Sequence, residues 1–94
     1  MKYYDWSDDK NQQVKLERGV SFEEVVLALD DKRRLATINH PNQNRYPNQQ
    51  IFIVNIDHYA YLVPFVEDND KIFLKTIIPS RKATKKYIID KGNE

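Results

Sequence analysis

The fold of this 94-residue chain is decided by residues 51–66, which read IFIVNIDHYAYLVPFV. Two runs in it, Ile51 to Ile56 and Tyr59 to Val66, are rich in β-branched and aromatic residues, which favour strands. Asp57 and His58 lie between the runs as a candidate two-residue turn, although neither adopts positive φ as readily as glycine. The stretch therefore predicts an antiparallel β-hairpin.

Shorter strands are predicted on both sides of this hairpin. Leu35 to Ile38 precedes it, separated by the polar stretch Asn39 to Gln50. Lys71 to Ile78 follows it after an acidic loop, and Pro79 ends this last strand. If the turns set the register, both sheet faces are apolar. The first face carries Phe52, Val54, Tyr59, Tyr61, Val63, Phe65, Ile72 and Leu74; the second carries Ile51, Ile53, Ala60, Leu62, Phe73 and Ile77.

Two helices are predicted before the strands. Ser7 is a typical N-cap for the first helix, and Gly19 is a typical C-terminal stop. Ser21 and Glu24 have the spacing of a capping box for the second helix, which ends near Asp30. Its apolar residues recur at helical spacing, so we expect it to pack on the sheet.

One helix is predicted after the strands, capped by Ser80 and extending to about Ile89. The chain is thus predicted to form a single α+β domain over residues 1–94. The domain has two N-terminal helices, an antiparallel sheet of about four strands and a C-terminal helix. The N-terminal helices cover one apolar face, so the other face needs the C-terminal helix, a partner chain or both.

The composition excludes several classes of protein. The chain has no cysteine, which excludes a disulfide scaffold and a cysteine-ligated zinc module. It has no long apolar run and no signal-peptide pattern, so we expect no membrane association and a cytoplasmic location. With only Gly19 and Gly92, a glycine-rich phosphate loop is excluded. Two histidines without a metal-ligand spacing predict no metal site, and we expect no cofactor.

The formal net charge of +1 hides an uneven distribution. Residues 1–31 carry four basic and eight acidic side chains, a net charge of −4. Residues 32–94 carry 11 basic and 6 acidic side chains, a net charge of +5. A chain charged in this way can present a cationic face to an anionic partner.

The basic residues concentrate on the predicted C-terminal helix. Arg81, Lys82, Lys85 and Lys86 share one broad helical face, and Lys75 lies on the strand before it. Four cations on one face repel each other unless an anion lies nearby. RNA phosphates, an acidic partner or the acidic first helix are the candidate anions, and a solvated face is the remaining alternative.

Other candidate site residues lie in loops. His58 and His40 titrate near neutral pH and are candidates for proton transfer, together with the carboxylates of Glu67 and Asp57. The sequence does not choose among these four. Arg45 and Tyr46 form a cation–aromatic pair of the kind that stacks on unpaired RNA bases, or Tyr46 holds the long loop in place.

Three segments resemble the BrnT family of bacterial type II toxins. They are DWSDDK at residues 5–10, RGVSFEE at residues 18–24 and IPSRKATKK at residues 78–86. The chain departs from the family pattern at three places. Glu17 and Arg18 replace the lysine and histidine that precede the glycine, and Tyr87 replaces a glutamate of the last helix. The polar segment Asn39 to Gln50 also differs from the family's usual central sequence. The chain therefore resembles a distant member of the family.

This resemblance implies a RelE-type fold and a ribonuclease that arrests translation, with ribosome-bound mRNA as one form of its RNA substrate. It also implies a cognate antitoxin with a ribbon-helix-helix DNA-binding domain. Arg81 and Lys82 match the basic pair of the family's last helix.

The residues and the resemblance together predict a metal-independent RNA endonuclease. Its candidate catalytic residues are Arg81, Lys75, Lys85 and His58, and its candidate RNA-binding residues are Lys82, Lys86, Arg45 and Tyr46. The alternative is a non-enzymatic module that binds RNA or an acidic protein through the basic C-terminal helix.

Overall fold

The computed structural model describes residues 2–90 and confirms the α+β class. Within these residues the elements are β1 (Tyr3–Asp5), α1 (Asp8–Arg18), α2 (Phe22–Asp30), β2 (Arg34–Asn39), β3 (Gln50–Ile56), β4 (Tyr59–Glu67), β5 (Lys71–Leu74), β6 (Ile78–Pro79) and α3 (Arg81–Thr84). A π-helical segment, Lys85–Ile89, continues α3 directly. We call α3 and this segment together the C-terminal helix.

The sheet has the strand order β1-β5-β4-β3-β2, and β6 pairs with the same edge of β4 as β5. The predicted hairpin is confirmed as β3 and β4, with Ile56 opposite Tyr59. Asp57 and His58 between them have φ angles of 54° and 64°. Two consecutive positive φ angles are what a type I′ hairpin turn requires.

The two N-terminal helices begin and end at the predicted residues. The Ser7 hydroxyl accepts a hydrogen bond from the Lys10 N–H at 3.3 Å, and Gly19 ends α1 with a φ of 70°. The Ser21 hydroxyl accepts from the Glu24 N–H at 3.2 Å, which is the capping interaction of α2. Local sequence therefore fixes both helices.

A first core forms between α1, α2 and one face of the sheet. Trp6 stacks on Phe22 with ring centres 5.7 Å apart, and with Tyr4 it packs against this core. The buried residues of this core are Val14, Val20, Phe22, Val25, Ala28, Phe52, Val54, Ile56, Val63, Phe65, Leu74 and Ile77.

A smaller second core forms between the other face of the sheet and the C-terminal helix. Ala83 of the helix is buried there with three sheet residues, Ile51, Ile53 and Ala60. Both faces of the sheet are therefore apolar, and the C-terminal helix covers part of the second. Partly buried residues complete this core: Leu35, Ala36, Leu62, Tyr87 and Ile88.

The last strand is interrupted rather than continuous to Ile78. Pairing with β4 ends where Leu74 lies opposite Phe65, and it resumes only at Ile78. The Lys75 N–H donates to the Pro64 carbonyl at 2.8 Å, but Pro64 has no N–H to donate in return. The ladder therefore breaks after Leu74 and divides the strand into β5 and β6.

This interruption corrects the predicted position of Ile77. The alternation of a continuous strand predicts Ile77 on the second face, whereas it is fully buried in the first core. The Arg18 guanidinium donates to the Ile77 carbonyl at 2.6 Å. This hydrogen bond replaces the one that the carbonyl would make in a continuous strand.

Strand β1 was not predicted from the sequence, which shows only a short aromatic cluster there. Tyr3–Asp5 pairs in parallel with β5, and Tyr4 lies opposite Ile72. Three residues show too little alternation for a strand to be recognised from the sequence. The conformation of this segment is decided instead by its pairing with β5.

None of the helices within residues 2–90 has the length and apolar character needed to cross a membrane.

Candidate functional site

The start of the C-terminal helix is fixed to Ala60 of β4 by backbone and hydroxyl hydrogen bonds. The Ser80 N–H donates to the Ala60 carbonyl at 3.0 Å, and the Ser80 hydroxyl accepts from the Ala83 N–H at 3.0 Å. The Thr84 hydroxyl accepts from the Ala60 N–H at 2.8 Å and donates to the Ser80 carbonyl at 2.8 Å. Both polar groups of the Ala60 backbone are thus used to position this helix.

The four cations of the C-terminal helix are all exposed, as the sequence predicts. Lys82 and Lys86 line a groove beside the helix. Arg81 and Lys85 stand one position before them and form the adjacent row of the helix. None of the ion pairs within residues 2–90 involves these four side chains.

The acidic N-terminal helices lie on the other side of the sheet from the basic helix. Helices α1 and α2 pack on the first core, whereas Ala83 of the C-terminal helix is buried in the second. The sheet therefore separates the two charged regions, and the first helix is not the anion that contacts the four cations. Their mutual repulsion is relieved only by solvent, salt or an external anion.

The groove beside the C-terminal helix is largely apolar and has a volume of about 210 Å³. Lys82 and Lys86 stand at its rim, and the Lys86 Nζ lies 5.2 Å from the centre of the Tyr87 ring. Its lining residues are Ile38, Ile53, Leu62, Ser80, Lys82, Ala83, Lys86 and Tyr87.

Lys75 lies on the same sheet face as the C-terminal helix. Its Nζ is 5.4 Å from the centre of the Phe73 ring, and Phe73 alternates along β5 with Ile72 and Leu74 of the first core. The Lys71 Nζ approaches the same ring at 5.7 Å. The Phe73 ring thus lies against two lysines on the second face, an arrangement that the spacing of these residues in the sequence does not reveal.

His58 lies at the end of the sheet where the C-terminal helix begins. It is exposed in the β3–β4 turn, two residues before Ala60, which binds Ser80 and Thr84. Its neighbour Asp57 is exposed in the same turn. The chain therefore brings these two candidate proton-transfer groups to the helix start.

The other two candidate proton-transfer groups lie elsewhere and are already engaged. The Glu67 carboxylate pairs with the Lys2 ammonium at 2.7 Å, at the opposite end of β4 from the turn. The His40 Nδ1 accepts a hydrogen bond from the Asn42 N–H at 3.0 Å. The topology thus separates both from the start of the C-terminal helix.

Arg45 and Tyr46 lie together in the loop between β2 and β3. The Arg45 guanidinium carbon is 5.6 Å from the centre of the Tyr46 ring, and the His40 ring centre is 4.4 Å from it. Tyr46 therefore helps to hold the loop. This loop and the turn that contains His58 are at opposite ends of β3, about 20 Å apart along a seven-residue strand. The structure does not bring His58 together with this pair.

Two structural positions of the site were not recognised from the sequence. Thr84 follows the cations Arg81 and Lys82 closely in the sequence, but its hydroxyl contact with Ala60 requires the tertiary structure. Arg18 lies at the end of α1, and its guanidinium donates to the Ile77 carbonyl, three residues before Ser80. Within residues 2–90, no three histidine, aspartate or glutamate side chains lie together as metal ligands would.

Comparison of the chain with models of protein families, with curated proteins and with solved structures finds no match.

Proposed function

We propose that this protein is the toxin of a bacterial type II toxin–antitoxin system. It is a cytoplasmic, metal-independent RNA endonuclease that inhibits translation, and a protein antitoxin with a ribbon-helix-helix domain neutralises it. The proposal combines the resemblance to the BrnT family with the surface chemistry of the C-terminal helix.

The observation that carries the proposal is the pair of cationic rows on this helix. All four side chains are exposed and outside the ion pairs formed within residues 2–90. The Ser80 N–H donates to the Ala60 carbonyl and the Thr84 hydroxyl accepts from the Ala60 N–H, so the helix that carries the cations is attached to the sheet. A fixed cationic surface that lacks its own counter-ions is suited to a polyanion such as RNA.

Metal-independent cleavage of RNA begins when a ribose 2′-hydroxyl attacks the adjacent phosphorus. The new 2′-oxygen–phosphorus bond forms as the bond to the 5′-oxygen breaks, which gives a 2′,3′-cyclic phosphate and a 5′-hydroxyl end. The 2′-hydroxyl proton passes to a base, and the 5′-oxygen gains a proton. Negative charge grows on the phosphate oxygens in the transition state and requires cations nearby.

We assign these roles to residues of the C-terminal helix, of the sheet face that it covers and of the β3–β4 turn. Arg81, Lys85 and Lys75 stabilise the phosphate charge, and His58 transfers protons. The two remaining lysines of the helix and the Arg45–Tyr46 pair bind flanking nucleotides. Because that pair lies at the far end of β3, it contacts nucleotides several positions from the cleaved bond.

A second candidate function is binding without cleavage, and one observation favours it. The groove beside the C-terminal helix has an apolar floor with Lys82 and Lys86 at its rim. Such a surface accommodates apolar and acidic side chains of a partner protein. In this alternative the helix binds an acidic protein or RNA, and no residue acts in catalysis.

Controlled expression in a bacterial host tests the proposal. The intact protein is expressed alone and together with the product of the neighbouring gene, and growth and RNA integrity are measured. We expect growth arrest and RNA cleavage from the protein alone, and neither in the presence of the neighbour. No arrest together with no cleavage of any RNA by the purified protein would contradict the toxin proposal.

Two matched double variants then test the site. Arg81→Ala combined with Lys85→Ala removes two cations from the proposed site, and we expect loss of toxicity at equal protein abundance. Lys15→Ala combined with Lys32→Ala removes two cations that lie outside the C-terminal helix and outside the three segments of the resemblance, and should leave toxicity unchanged. Equal toxicity of both double variants would show that the cationic helix is not the site.

A further inference from the structure

The outer edge of β2 is unpaired within residues 2–90. β2 is the last strand in the order β1-β5-β4-β3-β2, and β3 pairs with only one of its edges. An exposed edge offers a row of backbone N–H and C=O groups to another extended chain. The opposite edge of the sheet is the three-residue strand β1, which is half as long as β2.

The register identifies which residues of β2 point outward. The His40 N–H donates to the Gln49 carbonyl at 3.0 Å, just beyond the strand. Because hydrogen-bonded pairs recur at every second residue of an antiparallel ladder, Ile38 and Ala36 bond to β3. Thr37 and Asn39 therefore direct their backbone groups away from the sheet.

The groove beside the C-terminal helix adjoins this edge. Ile38 of β2 lines it and is 39% exposed, a large fraction for an isoleucine at the wall of an apolar groove. The volume of the groove, about 210 Å³, is below the 300–1,000 Å³ typical of small-molecule pockets. The groove suits one or two side chains of a peptide that also pairs with β2.

The charge in the segment that forms this edge is positive, although Arg33 at its start pairs with Asp31 at 3.4 Å. Residues 32–56 include β2, the following loop and β3, and contain four basic and no acidic residues. Lys82 and Lys86 add two cations at the rim of the groove. An added strand that carries carboxylates is therefore attracted to this edge, whereas one that carries basic side chains is repelled from it.

We propose that the outer edge of β2 is a docking site for an extended, acidic segment of a partner protein. The segment adds to the sheet as a sixth neighbour in the main strand order. It places an apolar side chain against Ile38 and carboxylates beside Lys82 and Lys86. Main-chain hydrogen bonds to Thr37 and Asn39 supply affinity, and the groove supplies specificity. The inference does not depend on whether the protein cleaves RNA.

A second copy of this chain does not satisfy the same site. Pairing of two β2 edges would bring the cations of both copies together, including the lysines at both groove rims. Like charges placed opposite each other in this way oppose association. An RNA strand fits less well, because the groove floor is apolar and the edge pairs with a peptide backbone.

A peptide-binding assay tests the inference with the full-length protein. The probe is a fluorescently labelled eight-residue peptide of alternating glutamate and valine, and the control peptide has lysine in place of glutamate. Fluorescence anisotropy at low salt should detect binding of the acidic peptide and at least tenfold weaker binding of the basic one. Absence of binding by the acidic peptide, or equal binding of the two, would overturn the proposal.

Thr37→Pro tests whether the backbone edge is the contact. Proline removes an outward N–H and is tolerated on edge strands, so the fold should remain intact by circular dichroism. We expect at least tenfold weaker binding of the acidic peptide, and unchanged binding by the matched variant Thr37→Val. Equal binding by a folded Thr37→Pro protein would overturn the proposal.

A charge-reversal variant keeps the test decisive if Thr37→Pro unfolds. Lys82→Glu combined with Lys86→Glu should reverse the preference in favour of the basic peptide. An unchanged preference contradicts docking at this groove. Sedimentation should show a monomer across the concentrations used. A dimer that excludes the peptide would assign the edge to a second copy of the chain and overturn the proposal.

Discussion

The hydroxyl of Thr84 accepts a hydrogen bond from the backbone N–H of Ala60 at 2.8 Å, across 24 residues of sequence. Thr84 is 6% exposed and Ala60 is fully buried, so water does not replace this bond. The same hydroxyl donates to the Ser80 carbonyl. One side chain thus joins the last helix to the central hairpin and holds the cationic rows in position over the sheet.

Thr84→Val should destabilise the protein by about 2 kcal/mol, because the Ala60 N–H becomes a buried donor without a partner. Thr84→Ser keeps the hydroxyl and should lose clearly less stability than Thr84→Val. Urea unfolding followed by circular dichroism measures both. If the valine and serine variants are equally stable, the hydroxyl does not carry the attachment.

His58→Gly should stabilise the fold and remove activity. His58 has a φ of 64°, a left-handed conformation that costs a side chain about 1 kcal/mol or more and costs glycine little. We therefore expect a gain of about 1 kcal/mol in the free energy of unfolding. If His58 transfers protons, RNA cleavage should fall by roughly 10²- to 10⁴-fold. A stabilised variant that cleaves RNA at the parent rate would exclude His58 from the chemistry.

Asn11→Ala should cost about 2 kcal/mol of stability. The Asn11 side chain is 4% exposed; its Oδ1 accepts from the Phe22 N–H at 2.9 Å and its Nδ2 donates to Glu23 at 2.8 Å. The variant leaves the buried Phe22 N–H without a partner. Thermal unfolding measures the loss, and Gln12→Ala on the exposed side of α1 is the matched control, expected to change little.

RNA binding should depend on salt in proportion to the cations involved. Each phosphate contact to single-stranded RNA contributes about 0.7 to the slope of log affinity against log salt concentration. Lys82→Ala combined with Lys86→Ala should therefore reduce the slope by about 1.4 if both lysines contact phosphates. Filter binding with a catalytically inactive parent over a range of salt concentrations measures this change. An unchanged slope would place the RNA elsewhere.

The loop before β5 should lose stability in acid through Asp68. Hydrogen bonds from the N–H groups of Asp70 and Lys71, each 2.9 Å long, hold the pKa of the Asp68 carboxyl below its ordinary value of 3.8. Because the folded pKa is the lower one, this stabilisation is complete above the ordinary value. It is lost as the pH falls through the folded pKa. Asp68→Ala should therefore be less stable than the parent at pH 7, and the difference should shrink below about pH 4. A difference in urea midpoint that is the same at pH 7 and pH 3 would contradict this role.

The helices and the central hairpin are predictable because their determinants are local. Ser7, Ser21 and Ser80 each accept the expected capping hydrogen bond. The β-branched runs on both sides of Asp57 and His58 form the hairpin, and the two-residue turn takes the positive φ angles that this loop length requires. The exposed cations of the last helix also follow from helical spacing alone.

The path of the chain after Leu74 is not predictable from alternation. Alternation predicts Ile77 on the second face, but Pro64 on the neighbouring strand cannot complete the ladder, and Ile77 enters the first core. The relevant proline is 13 residues away in sequence. Strand β1 was missed for the same reason, since its conformation is decided by pairing with β5.

The sequence by itself determined the helices, the hairpin, the two apolar faces and the cationic last helix. Each of these features depends on residues that lie close together in the sequence, within one helix or within two neighbouring strands. The tertiary structure alone decided how these parts face one another. It placed the acidic helices and the basic helix on opposite sides of the sheet, put His58 at the helix start, and separated it from Arg45 and Tyr46. It also left the edge of β2 unpaired. These relationships depend on strand order and on contacts such as Thr84 with Ala60, which join residues far apart in the chain and leave no periodic signal in it.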